Sequence, residues 1–362
     1  MHRLTAELKR PSELTPAERE AWIAFTDDNA ALASPYFRIE FAECCEEVRS
    51  DTRIIVGRVG GQVRGFLPLQ LGRIGYARPI GGPLGDVHGL IVPPDAESDP
   101  RDFLRAAGVP LFEFHSAIGV TQGWREYGRC QDGAWICDVS DGFDAYLETR
   151  KMFSPGAMRN YRKRLRRLEA EEGGFAFQLD DASPKNLDSM IRMKRSQYKQ
   201  TGIFDVFSVG WTQALLAALL RRRSDRFQGQ CATLSINNEV VAIHVGMASE
   251  RQLHYWFPAY NPAFSHVSPG ILLLMELIRW SAAEGLAGVD LGPGDYRYKA
   301  ELGCYQMPLW SGCVMTQSAP TMLRGAAQAL AGRAEKLPIG RLGSLPRRAL
   351  RKADKLASFY AW

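Results

Sequence analysis

The sequence predicts an α/β fold of two tandem units, each a mixed sheet with helices on both faces. Three observations carry that expectation. At 362 residues the chain is long for one hydrophobic core. Its second half reads strand, helix, helix, three strands, helix, strand, short helix, strand, an order that wraps helices around a mixed sheet. The first half carries a thinner version of the same alternation, consistent with an old duplication, although no internal repeat aligns. The expected division is 1–150, 151–317, and a basic amphipathic tail, 318–362.

In the first unit, residues 15–31 read as a helix with Pro16 in its first turn, and 36–49 as a second helix. Residues 53–59 and 62–69, joined by Gly60-Gly61, read as a β-hairpin. Ile80 to Asp86 is rich in glycine, but no strand-to-helix pattern flanks it, so it reads as a turn-rich connection rather than a phosphate loop. The boundary falls between Phe143 and Ser154. Beyond it come a strongly basic helix around Arg159 to Arg167, a strand at 175–179, and helices at 184–200 and 209–222. Strands follow at 231–236, 240–247 and 253–257, with an Asn237-Asn238 turn between the first two. A long apolar helix begins at Pro269, a buried strand covers 288–292, and a last strand covers 308–314.

Composition narrows the classes. With 46% apolar and 23% charged residues the chain has a soluble globular balance. The most apolar run, Ile271 to Ile278, is broken by Glu276 and is too short to span a membrane. The first residues lack the apolar stretch of a signal peptide. Seven scattered cysteines without a Cys-x-x-Cys pair suit a reducing, cytoplasmic setting. No histidine spacing points to a metal, and no serine-hydrolase elbow is present, so no metal cofactor is expected. The net charge of +5 is uneven: from Met322 onward nine cations face two acids, +7, which leaves the body at about −2. That tail has the composition of a membrane-surface segment, although Pro338 and Pro346 break it, and a partner-binding tail is the equal alternative. The basic helix reads as a solvated face, with RNA or an anionic glycan as its functional alternatives.

The sharpest local signal is Ser268-Pro269-Gly270 at the start of the apolar helix. Ser268 is placed as N-cap and Pro269 at the first helical position; Gly270 leaves backbone amides uncovered. Such a start seats an anion, with Ser268, Pro269, Gly270 and Ile271 as the candidate donor-binding residues, or it is a plain structural cap. His244 lies in a strand whose same-face neighbours, Ala242 and Gly246, are small; it is a candidate general base or a satisfied core histidine. Asp295 and Lys299 stand one helical turn apart. They read as a surface ion pair, or as a pair in which Asp295 meets the acceptor and Lys299 a phosphate or oxyanion. Asp290, in a buried strand, requires a partner. His254, Trp256, Tyr260 and Tyr298 complete the candidate substrate-binding set.

These segments (242–246, 254–262, 268–270 and 290–299) together resemble the GNAT-type acetyltransferases of the CelD/BcsL group. The resemblance is strongest over 175–314. It implies a tandem GNAT-like fold, similar to the FemABX peptidyltransferases, whose C-terminal copy is the working acyltransferase. It further implies acyl-CoA, acetyl-CoA first, as donor, and a glycan or lipid-linked sugar of cellulose or exopolysaccharide synthesis as acceptor. Ser-Pro-Gly stands where such enzymes usually carry an Arg/Gln-x-x-Gly-x-Gly/Ala loop. Aminoacyl transfer from tRNA therefore remains an alternative, as does a non-catalytic scaffold of an envelope-synthesis complex docked through the tail.

Overall fold

A computed structural model describes residues 3–72, 75–94, 96–119, 123–172, 174–179, 183–316 and Phe359. The expected basic tail, 318–362, lies outside the described residues except for Phe359.

The strands are β1 (Thr5–Lys9), β2 (Thr52–Val59), β3 (Gln62–Leu71), β4 (Tyr76–Pro79), β5 (Leu111–Ile118), β6 (Gly128–Asp138), β7 (Ala176–Leu179), β8 (Phe227–Ile236), β9 (Glu239–Ser249), β10 (Gln252–Tyr260), β11 (Gly288–Asp290) and β12 (Tyr305–Met315). The helices are α1 (Pro16–Asp27), α2 (Ile39–Val48), α3 (Pro100–Ala106), α4 (Gly123–Tyr127), α5 (Phe143–Phe153), α6 (Pro155–Glu172), α7 (Pro184–Thr201), α8 (Gly210–Arg221), α9 (Pro269–Ala283) and α10 (Arg297–Leu302).

Local chemistry accounts for many boundaries. Thr15 caps α1 and forms a reciprocal capping box with Glu18, with Pro16 at the first helical position. Ser183 caps α7, and Gly202 ends it in the left-handed conformation. Gly60-Gly61 and Asn237-Asn238 all have positive φ, the backbone that tight hairpin turns require.

The chain forms two compact units that a single cut does not separate. One comprises Met1–Ala30, Arg49–Gln131 and Leu309–Trp362; the other comprises Ala31–Val48 and Asp132–Pro308. The contiguous division expected at about residue 150 differs from this at both ends, and strand pairing explains why. In the first unit β1 to β4 pair antiparallel in sequence order, β4 pairs parallel with β5, and β5 pairs antiparallel with β12. In the second, β7 to β10 pair antiparallel, β10 pairs parallel with β11, and β11 pairs antiparallel with β6. Each unit thus repeats one pattern: the first closes with β12, which follows the sequence of the second, and the second closes with β6, at the start of its own long stretch. The α/β fold expected from sequence, mixed parallel and antiparallel sheet with helices, is the fold found.

The core of the second unit is built on α9. Leu272, Leu273, Leu274, Met275, Leu277 and Ile278 are all buried, so this helix has almost no solvent face. Its start is thereby fixed against β8, β9 and β10, which position the candidate site.

Candidate active site

The α9 start departs from a simple cap. Ser268 occupies the N-cap position, but its side chain accepts no hydrogen bond, and its backbone is left-handed at φ 54°. The Ser268 carbonyl takes the amides of both Ile271 (3.0 Å) and Leu272 (3.3 Å). Pro269 has no N–H, so Gly270 N–H is the one first-turn amide without a partner among the described residues. The expected row of uncovered amides is therefore a single donor. Strain in a non-glycine residue at this position is a feature more often met at ligand sites than elsewhere. A Cβ added at Gly270 would lie 3.6 Å from the Tyr260 ring, an ordinary contact, so Tyr260 flanks the free amide.

Tyr255 links this start to His244. Its hydroxyl donates to the Gly270 carbonyl (3.4 Å), and its ring stacks on His244 at 4.8 Å between centroids. β10 bulges here: Tyr255 and Trp256 together oppose Gly246 of β9. His244 Nε2 accepts the Trp256 N–H at 3.2 Å, so the imidazole satisfies an amide at the bulge. His244 is fully buried. Burial, with His254 and Lys194 nearby, pushes its pKa down to about 3. A ring that neutral, with Nε2 already in use, does not suit a general base working near neutrality. The space inferred beside it at Gly246 is taken by the histidine itself: a Cβ on Gly246 would fall 2.6 Å from His244 Nε2. His244 thus contacts the Trp256 amide and the Tyr255 ring, and its Nδ1 has no hydrogen-bond partner among the described residues.

A second group forms where β10 and β11 part. Their parallel pairing runs only from Gln252/Gly288 to His254/Asp290; β11 ends there and β10 continues to Tyr260. Asp290 is fully buried: Gly292 N–H donates to one carboxylate oxygen at 2.7 Å, and His254 Nδ1 stands 3.3 Å from the other without an aligned hydrogen bond. The other imidazole nitrogen of His254 lies 3.3 Å from the Tyr36 hydroxyl, and Trp256 packs edge-on to the Tyr36 ring. Tyr36 is held by its neighbours. Arg38 donates to Glu250 Oε2 (2.9 Å) and to the Leu32 carbonyl (2.9 Å), and the Ser249 hydroxyl donates to the Ala33 carbonyl (2.6 Å).

The Gly292–Gly294 turn then carries Lys299. Its ammonium does not pair with Asp295, which is exposed. It donates instead to the carbonyls of Pro293 (2.7 Å) and Gly292 (3.3 Å), with the Lys299 side chain almost fully buried. The expected surface ion pair is replaced because the two left-handed glycines fold the turn back over the lysine. Tyr298 lies beside Tyr255, and burial raises both phenols.

Lys194 of α7 was not singled out from sequence. It is half-buried, donates to Gln197 Oε1 (3.3 Å), and has no carboxylate partner among the described residues. Burial and the charge of Lys299 lower its pKa to about 8. A signal existed: Lys194 continues the buried Leu187, Met190 and Ile191 stripe at helical spacing. An ammonium on the apolar face of a helix is a functional candidate. The site thus gathers His244, Gly270 and Tyr298 through Tyr255, and His254, Asp290 and Trp256 through Tyr36; Asp295 stands apart. Among the described residues, no group of three or more His, Cys, Asp or Glu side chains is arranged to hold a metal.

A strand bulge, a parting parallel pair and a helix start lie together in the second unit. Residues 156–300 match the family model of an acetyltransferase (GNAT) domain, which runs from α6 into α10 and covers most of the site. The fold is similar to that of FemX: TM-score 0.58 and 11% identity, covering 88% of this chain and 99% of FemX. Other similar structures include the C-terminal domain assigned to a lysylphosphatidylglycerol synthetase of Agrobacterium fabrum (TM-score 0.49, 12% identity, 87% of this chain and 95% of that one). A tandem GNAT protein of clavulanic acid biosynthesis also matches (TM-score 0.48, 10% identity, 88% and 100%). No curated protein matches the chain significantly in sequence.

Proposed function

We propose that the second unit transfers an acyl group, acetyl in the simplest case, from acyl-CoA to an amine or hydroxyl of a polysaccharide precursor or other cell-surface building block. The observation that carries this is the free Gly270 amide beside Tyr255 and Tyr260, in the part of β10 that β11 does not pair. A donor phosphate at Gly270 gains the helix dipole, and the thioester arm follows β10, whose edge is unpaired by β11 beyond His254. In the transfer, the acceptor nitrogen or oxygen attacks the thioester carbonyl, the carbon–sulfur bond breaks, and the acceptor proton must be removed. Lys194, with a pKa of about 8, is the group suited to take it. Lys299, fixed by two carbonyls, supplies positive charge close enough to affect Lys194. His244 keeps Tyr255 and the bulge in place. The CelD/BcsL resemblance supports a glycan or lipid-linked sugar as acceptor. It also supports a cytoplasmic enzyme that meets the inner membrane or a synthesis complex through the 318–362 tail.

The test is a thermal shift of the full chain with acetyl-CoA, repeated with Ser268→Glu and Ser268→Gly. Binding confined to the native state raises stability by about 2.7 kcal/mol at a hundredfold excess over Kd. A rise that Ser268→Glu removes and Ser268→Gly retains is the expected result; no rise with any acyl-CoA would end the acyl-CoA reading. A second reading, aminoacyl transfer from tRNA, is favoured by the exposed Arg159, Arg162, Lys163 and Arg166 of α6. It predicts RNA binding that falls steeply with salt.

A further inference from the structure

The outer face of α6 carries more charge than the fold requires. Arg159, Arg162, Lys163 and Arg166 recur at the i, i+3, i+4, i+7 spacing of one helical face, and all four are exposed. None of them enters an ion pair or a side-chain hydrogen bond among the described residues. The helix has no acidic residue before Glu169, so the face is purely cationic over about 10 Å. Its opposite side, with Met158, Tyr161 and Leu168, is buried in the core of the second unit. A row of cations alone is ordinarily a solvated face. At its N-terminal end stands a second, independent feature. Met152 and Phe153, the last residues of α5, are 76% and 73% exposed, the two most exposed large hydrophobic side chains among the described residues. Pro155, exposed and one turn before Arg159, joins them to the basic face. Arg150, buried and donating to the Gly303 carbonyl, holds its guanidinium 5.6 Å from the Phe153 ring centroid, which supports the ring from one side. The preceding acid on α5, Glu148, is neutralised by Lys151.

Cations without acids call for an anionic partner, and two adjacent exposed apolar side chains call for an apolar one. RNA supplies phosphates and a base to stack on Phe153, but nothing in which to bury Met152. An anionic bilayer supplies both, with phosphates at headgroup level and hydrocarbon just beneath, the arrangement that interfacial helices use. We propose that α6 and the end of α5 dock the second unit on an anionic lipid bilayer. Met152 and Phe153 enter the boundary between headgroups and acyl chains, and the four cations of α6 lie on lipid phosphates. Because α6 packs on α9, the docked bilayer is about one helix diameter, roughly 10 Å, from α9. This surface is separate from the 318–362 tail, and it stands whether or not the donor is acyl-CoA.

The experiment is flotation of the full chain with vesicles of phosphatidylcholine alone, and of equal parts phosphatidylcholine and phosphatidylglycerol. Wild type is compared with the double variants Arg162→Glu/Arg166→Glu and Met152→Ser/Phe153→Ser. Wild type should float with the anionic vesicles and far less with the neutral ones. Each cation at an anionic surface contributes about fivefold, so the charge variant should bind at least about 25-fold more weakly. The apolar variant should bind at least about tenfold more weakly. Both should keep the wild-type melting temperature, since the altered side chains are exposed. Absence of wild-type binding would overturn the proposal. So would full binding by both variants, which would leave the tail as the membrane contact. A loss confined to one variant would overturn it as well; if that is the charge variant, and polyuridylate competes with the vesicles, the face belongs to RNA.

Discussion

In the proposed reaction, His244 and Lys194 exchange the roles their residue types imply. A fully buried imidazole is a poor proton acceptor and a good hydrogen-bond acceptor, and His244 is used in the second way, on the Trp256 amide. Because its folded pKa is about 3 against 6.5 unfolded, the unfolded chain binds more protons between those values. Its contribution is complete above pH 6.5 and is lost as pH falls towards 3, by several kcal/mol and at most about 5. Melting temperatures measured from pH 7 to 4 should fall, and a variant such as His244→Phe should fall less steeply; the buried His88 and His115 keep part of the slope, since burial lowers them too. Lys194 should set the basic limb of the reaction: kcat/KM should rise with pH up to about 8 and then level, as the ammonium loses its proton. Lys194→Met should abolish that limb and lower the rate by roughly 10²–10⁴-fold; an unchanged profile would remove Lys194 from proton transfer. The alternation around His244 was legible, including its small neighbour Gly246. Which atoms would occupy that space was not, because the bulge depends on pairing between strands rather than on the pattern within one.

At the scale of elements, most of the second unit could be read from periodicity and turn chemistry. The Ser183 cap, the Asn237-Asn238 turn and the all-apolar α9 each announce a boundary or a burial. The Ser268-Pro269-Gly270 start was legible as a helix start. Its backbone was not, since Ser268 adopts a left-handed conformation that its residue type does not call for. Two glycines at the site should respond oppositely to alanine. Gly246→Ala forces a methyl against His244 and the His254 carbonyl and should destabilise by about 1–3 kcal/mol in denaturant unfolding. Gly270→Ala meets only ordinary contact with Tyr260 and replaces a helical glycine, so stability should hold or rise by up to about 1 kcal/mol. Equal losses at both positions would show that the bulge does not have the constraint described.

For the whole molecule, the pairing of β12 with β5 and of β6 with β11 has consequences that no local pattern could announce. The sequence offers a last strand at 308–314 but cannot say that it pairs with β5, nor that β6 pairs with β11. A fragment cut at the expected boundary, 151–317, lacks β6 beside β11 and lacks Tyr36 and Arg38. Expressed alone, it should fail to unfold cooperatively by circular dichroism, whereas the full chain should do so. The duplicated sheet pattern is the larger finding behind this: two units of one architecture, of which the second holds the free helix-start amide, the strand gap and the two lysines. The central claim is that this second unit takes acyl-CoA along β10 and at the start of α9. Hydrogen exchange of the full chain with and without saturating acetyl-CoA tests it most directly. The account predicts slowed exchange at Gly270 and along 255–260 and 292–298, with the first unit unchanged. Protection confined to the first unit, or none under conditions where acetyl-CoA is shown to bind, would contradict it.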